Sequence, residues 1–213
     1  SLSGKQEKLL LSYSGEAARI ADEYIPGSET SFTIIAFPLP EIGPAFREIF
    51  RETIRINTLD SELYRGIQQT IIRALDEGQA VEIRGRGANR TRLRVCLREM
   101  ADPQRETNFE NCVADVNIPV GEVFTSPRLA GTEGILHVGR VYIGEFQFRD
   151  LELVFRDGKT VSYTCRNFES PQECRDLVKQ VVLKNHDSLP LGEFAIGTNT
   201  TAYEVAQRYG IFN

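Results

Sequence analysis

The sequence predicts an α+β chain: N-terminal helices with a short buried strand in an α/β layer, then a β-rich, mostly antiparallel part that holds one capped helix. Three observations carry that reading. Apolar residues recur at helical spacing to about residue 78, the period drops to two from Val81, and the later alternating stretches are broken by one segment with strong helix-start signals. The change of period divides the 213 residues into a helical α/β segment, 1–78, and a β-rich domain, 79–213.

In the first segment Leu9, Leu10, Tyr13, Ala17, Ile20, Ala21 and Tyr24 fall on one helical stripe, and Pro26-Gly27 ends it. The run SFTIIAF, Ser31 to Phe37, is β-branched and aromatic and is closed by Pro38 and Pro40, which predicts a short interior strand. Pro44 suits a first helical turn ahead of the stripe Phe46, Ile49, Phe50 and Ile54. A further helix is expected from a cap at Asp60 or Ser61, through Leu63, Ile67, Ile71 and Leu75, to a stop at Gly78.

The β-rich part opens with VEIRG and RTRLRVCL, a hairpin about a glycine-rich turn with Leu93, Val95 and Leu97 facing in and Arg92, Arg94 and Arg98 facing out. In LELVFRDGKTVSYTC, Asp157-Gly158 separates two alternating runs, the sequence form that a two-residue hairpin turn requires. SPQECRDLVKQVVL then supplies Ser170 as N-cap, Pro171 at the first helical position and Glu173 to close a capping box. Cys174, Leu177, Val178, Val181 and Val182 form its buried stripe.

Composition narrows the function. With 41% apolar and 26% charged residues the chain reads as globular. No apolar run approaches the roughly 18 residues of a bilayer span, and the N-terminus lacks signal-peptide order, so a soluble, cytoplasmic protein without a membrane partner is expected. A formal charge of -5 gives no global attraction to nucleic acid. Six arginines between Arg84 and Arg98 raise the alternative of an RNA-binding module, but no aromatic accompanies them as a stacking platform, and a solvated strand face accounts for the pattern. Four cysteines without a C-x-x-C pair read as reduced core thiols. A first residue that is Ser and an apolar Ile211-Phe212 at the end lead us to expect a piece of a longer polypeptide.

One short pattern occurs twice. NIPVGEVFTSP and LPLGEFAIGTN both contain Pro-x-Gly-Glu-apolar, at Pro119 to Val123 and Pro190 to Phe194. Proline fixes φ, glycine permits a sharp turn, and the apolar residues that follow pin a strand, so Glu122 and Glu193 stand at the mouths of rigid elements, where a metal ligand belongs. A solvated glutamate after an ordinary turn is the competing explanation for either copy alone. His137, alternating with Leu136 and Val138, reads as a strand histidine on a polar face, and His186 as a helix-terminal cation; neither is expected to touch metal.

NIPVGEVFTSP, GTEG (Gly131 to Gly134), LELVFRDGKTVSY and LPLGEFAIGTN, in that order and spacing, resemble the central segment of the thermophilic-type metallo-aminopeptidases, the family of aminopeptidases T and S. FTIIAFPLPEIG and the VEIRGRG hairpin are similar to its preceding segments. The resemblance implies hydrolysis of N-terminal residues from peptides, a homodimer in the intact protein, and two divalent ions (zinc, cobalt or manganese) held by two glutamates, two histidines and an aspartate. Its glutamates match Glu122 and Glu193. No His or Asp follows Glu193 in this chain, so three of the five implied ligands are missing and a fragment with half a site, inactive as it stands, is expected. A non-catalytic structural or oligomerisation module is the alternative. The chain also departs from the family's pattern by placing Arg92 where an acid usually follows the glycine-rich turn. If both glutamates serve one centre, their carboxylates should come within about 8 Å of each other.

Overall fold

Short local signals account for most of the described elements. The computed structural model describes residues 33–114, 117–118, 121–144 and 146–209, together with positions 13, 16, 17, 19–21 and 23–25. In chain order these form β1 (Ile34–Ile35), a 3₁₀ turn (Pro40–Ile42), α1 (Phe46–Asn57), α2 (Ser61–Asp76), β2 (Ala80–Arg84), β3 (Arg92–Cys96) and β4 (Glu110–Cys112). Then come β5 (Asn117–Ile118), β6 (Glu122–Thr125), β7 (Arg128–Ile143), β8 (Phe146–Arg156), β9 (Lys159–Thr164), α3 (Pro171–Val181), β10 (Phe194–Gly197) and α4 (Thr200–Tyr209). No helix among the described residues is long and apolar enough to cross a membrane.

The main sheet is antiparallel throughout, in the order β2-β3-β7-β8-β9, and a second antiparallel sheet runs β10-β6-β4. The α+β class therefore holds. As the alternation requires, Leu93, Val95 and Leu97 are buried while Arg92, Arg94 and Arg98 are exposed. α3 begins with the expected N-cap and proline, Ser170 Oγ accepting from the Glu173 N–H at 3.4 Å and Pro171 standing at the first position. Its stripe of Cys174, Val178 and Val181 packs on Phe148, Leu151 and Leu183. All four cysteines are buried, and Cys96, Cys165 and Cys174 are free thiols.

The Asp157-Gly158 turn closes the β8–β9 hairpin with φ of 46° and 66° at the two central residues, the left-handed pair that matches strand twist. Gly158 does more than turn. Its N–H donates to Thr132 O at 2.7 Å and its carbonyl accepts from Leu191 N–H at 2.7 Å, which ties the segment leading to Glu193 onto the main sheet. A Cβ there would lie 2.6–2.8 Å from Leu129, including its backbone Cα. Gly158→Ala is expected to lower stability by about 3 kcal/mol, read as a fall in the urea midpoint, because a left-handed φ and a backbone clash add.

Three expectations need correction. The strand in SFTIIAF is only the pair Ile34–Ile35, in parallel register with Asn117–Ile118, and it is not interior: the two side chains are 56% and 49% exposed. Ser31 and Phe32 lie outside the described residues, as do Leu9, Leu10 and Pro26-Gly27, whereas Tyr13, Ala17, Ile20, Ala21 and Tyr24 are helical. Pro44 precedes the N-cap, Ala45, instead of opening α1. On α2 the buried face is rotated: Gln68 and Ile72 are the fully buried residues, while Leu63 and Ile67 are 57% and 44% exposed. The Asp60 cap does form, its carboxylate accepting from Leu63 N–H at 3.0 Å.

Candidate metal centre

The segments that carry the two glutamates are joined by strand pairing. β10 runs antiparallel to β6 with Gly197 opposite Glu122, Ile196 opposite Val123, Ala195 opposite Phe124 and Phe194 opposite Thr125. One face of this sheet is sealed: Val123, Phe194 and Ile196 pack with Ile72 of α2, Leu97 and Phe109. Alternation puts Glu122, Phe124, Ala195 and Gly197 on the other face, and Glu193 lies one residue before β10, just outside the ladder. Glu122 and Glu193 thus sit toward opposite ends of the pairing, with Phe124 and Ala195 between them.

Glu122 is located by a buried hydrogen-bond knot. Gly121, at φ 62°, makes the turn into β6, and a Cβ there would press on Leu59 at 3.3 Å. Its carbonyl accepts from both the N–H and the hydroxyl of Thr198, at 2.6 and 2.7 Å. The Gln68 amide, fully buried on α2, donates to the same Thr198 hydroxyl at 3.0 Å and to Cys112 O at 3.2 Å. Helix α2, the end of β4 and the end of β10 are therefore joined at the residue before Glu122. Pro119 and Val120 lie outside the described residues.

The second copy of the repeated pattern is built differently. Gly192 is not at positive φ, so no left-handed turn delivers Glu193. That residue is instead set by the Leu191–Gly158 hydrogen bond and the Lys159–Pro190 bridge that hold its segment to the β8–β9 turn. Glu193 is exposed and Glu122 half-buried.

Burial raises the Glu122 carboxyl above its ordinary value of 4.5, and the negative charge of Glu193 raises it further. The carboxylates therefore feel each other, and a divalent cation between them would remove the repulsion. As hard oxygen donors they fit part of such a site. They do not complete one: among the described residues no group of three or more His, Cys, Asp or Glu could hold a metal ion.

Both histidines stand apart from this face. His137 is buried in β7, not on a polar face as expected. Its Nδ1 accepts from Arg90 N–H at 3.2 Å, which leaves the proton on Nε2 for Asp150 at 3.0 Å. Both ring nitrogens are thus occupied. His186 is exposed, past the end of α3, which stops at Val181 with Val182 as its cap. Arg92 lies on the outer face of the main sheet. Sequence reasoning missed Gln68, whose only signal was a polar side chain beside the apolar Ile67, Ile71 and Ile72. It also missed Glu110, which pairs across from Phe124 and so shares the face of Glu122.

No curated protein matches the chain. A solved structure, wild-type AmpT from Thermus thermophilus, shares the fold at a TM-score of 0.55 and 19% identity, over 76% of this chain and 42% of that one. The present chain thus spans less than half the length of that relative. Residues 12–212 match the family described as thermophilic metalloprotease (M29), and the chain belongs to that family.

Proposed function

We propose that the chain carries part of a metal-dependent aminopeptidase, with Glu122 and Glu193 as two ligands of a two-metal centre that cleaves N-terminal residues from peptides. What supports this reading is the pairing of β6, which begins at Glu122, with β10, which Glu193 immediately precedes, together with the effect of the Glu193 charge on the Glu122 carboxyl. A four-residue offset, roughly 13 Å of strand, leaves room for two ions about 4 Å apart if the side chains lean together along the strands. Bound zinc, cobalt or manganese would supply Lewis acidity and a water of lowered pKa. The chain's own part is to hold the carboxylates at a set spacing, Glu122 at the start of β6 and Glu193 just before β10, with Phe124 and Ala195 lowering the polarity nearby.

The remaining donors are proposed to come from polypeptide outside these 213 residues, so the chain alone is proposed to be inactive. A peptide is the substrate and a homodimer the working form. A cytoplasmic setting is supported by the buried free thiols of Cys96, Cys165 and Cys174. The test is metal content and hydrolysis of a leucyl chromogenic amide, measured on the polypeptide encoded by the whole gene and on the 213-residue chain. Two bound divalent ions and turnover in the first, with no turnover in the second, are expected. A gene-encoded polypeptide without metal or hydrolysis would refute the peptidase reading. Turnover by the short chain would refute the partial-site reading.

A further inference from the structure

The outer face of the main sheet carries an arrangement that the peptidase reading does not use. A depression of about 610 Å³ is lined by Arg84, Arg92, Arg94 and Arg156 with only Glu82 and Glu133 as counter-charges, two positive charges in excess on a chain whose net charge is -5. A second depression of about 350 Å³ adjoins it and shares Arg84 and Arg92. These two arginines are direct cross-strand partners in β2–β3. Like charges placed opposite each other in a sheet are destabilising, so the pair has a cost that a solvated face does not explain.

Neighbouring arginines are neutralised. Arg94 meets Glu82 at 2.7 Å and Arg90 meets Glu152 at 3.2 Å. Arg84, Arg92 and Arg156 have no acidic partner among the described residues. Two guanidinium forks side by side, with a third on the same depression, present the donor geometry that oxyanions accept in bidentate fashion.

The geometry points to an oxyanion-binding site at the Arg84–Arg92 pair, completed by Arg156, for a small ligand carrying phosphate or carboxylate groups. It is independent of the metal centre. A polynucleotide fits less well, because the arginine-bearing segment from Arg84 to Arg98 offers no aromatic ring for base stacking.

The test is titration of the 213-residue chain with pyrophosphate and, separately, with citrate, at about 50 mM salt, where screening of exposed charges is moderate. One saturable site is expected for at least one of the two, and which one binds distinguishes a phosphate from a carboxylate ligand. Arg84→Gln, Arg92→Gln and Arg156→Gln should each weaken it about tenfold. All three side chains are exposed, so folding should be unaffected, and Arg47→Gln on α1, also exposed, should leave affinity unchanged. The proposal is overturned by no saturation with either probe up to about 10 mM, by equal weakening in Arg47→Gln, or by binding of single-stranded RNA alone.

Discussion

Glu122→Gln is expected to make the metal-free chain more stable while destroying metal binding, two effects of opposite sign from one side chain. In the folded state the Glu122 carboxyl titrates above 4.5 because burial and the Glu193 charge both disfavour its ionised form. The unfolded chain lacks both influences. At pH values between the ordinary and the raised value the native state binds more protons than the unfolded one, so stability falls as pH rises through that window. The amide carries no charge, so the advantage of the variant is full above the raised value and vanishes below about 4.5. Thermal melts of both proteins across that range read the difference.

In the gene-encoded polypeptide the same substitution should lower divalent-metal affinity by roughly 100-fold or more, since even residues that merely support a ligand lose 10–100-fold when changed. Equilibrium dialysis against zinc or manganese measures it, and hydrolysis should fall in step. On the proposed ligand role, a carboxylate kept ionised against burial and a like charge is a cost to folding that a bound cation would remove, which sets function against stability. If Glu122 were an ordinary solvated residue at a strand start, neither quantity would move.

How far the sequence foretells this arrangement depends on the range over which each feature is decided. The two hairpins and α3 were legible because their signals are local: Asp157-Gly158 fixes a turn by its own φ angles, and Ser170-Pro171 starts a helix within one turn. That the segments of Glu122 and Glu193 would be neighbours was indicated only by the repeated motif and the family resemblance, because the β6–β10 ladder joins strands far apart in sequence. The motif also overstated the likeness, since Gly121 needs a left-handed φ and Gly192 does not. The inner face of α2 was misread for a physical reason: periodicity counts apolar residues, and here the core-facing position is held by an amide whose donors are used by Cys112 O and Thr198. Likewise Ile34 and Ile35 have strand chemistry, but nothing in their sequence says that what they pair with leaves them half exposed.

Gln68 supplies the second large effect, and its variants separate packing from registration. Gln68→Ala removes a fully buried side chain, leaves a cavity, and strips the Thr198 hydroxyl and Cys112 carbonyl of a donor. A loss of about 3–4 kcal/mol is expected, read from the urea midpoint. Gln68→Met keeps the volume and loses the same donors. It also relieves the buried Oε1, which has no hydrogen-bond partner, so its cost should be smaller, about 1 kcal/mol. Stability alone would not show that Gln68 positions the site. The Thr198 N–H, bonded to Gly121 O at 2.6 Å, reports on that directly: its hydrogen exchange should accelerate in Gln68→Met, while amides of the distant β7–β8 ladder keep their protection. Unchanged Thr198 protection in the methionine variant would mean that the β6–β10 ladder registers the two glutamates by itself, with the amide serving only as filler between α2 and the sheet.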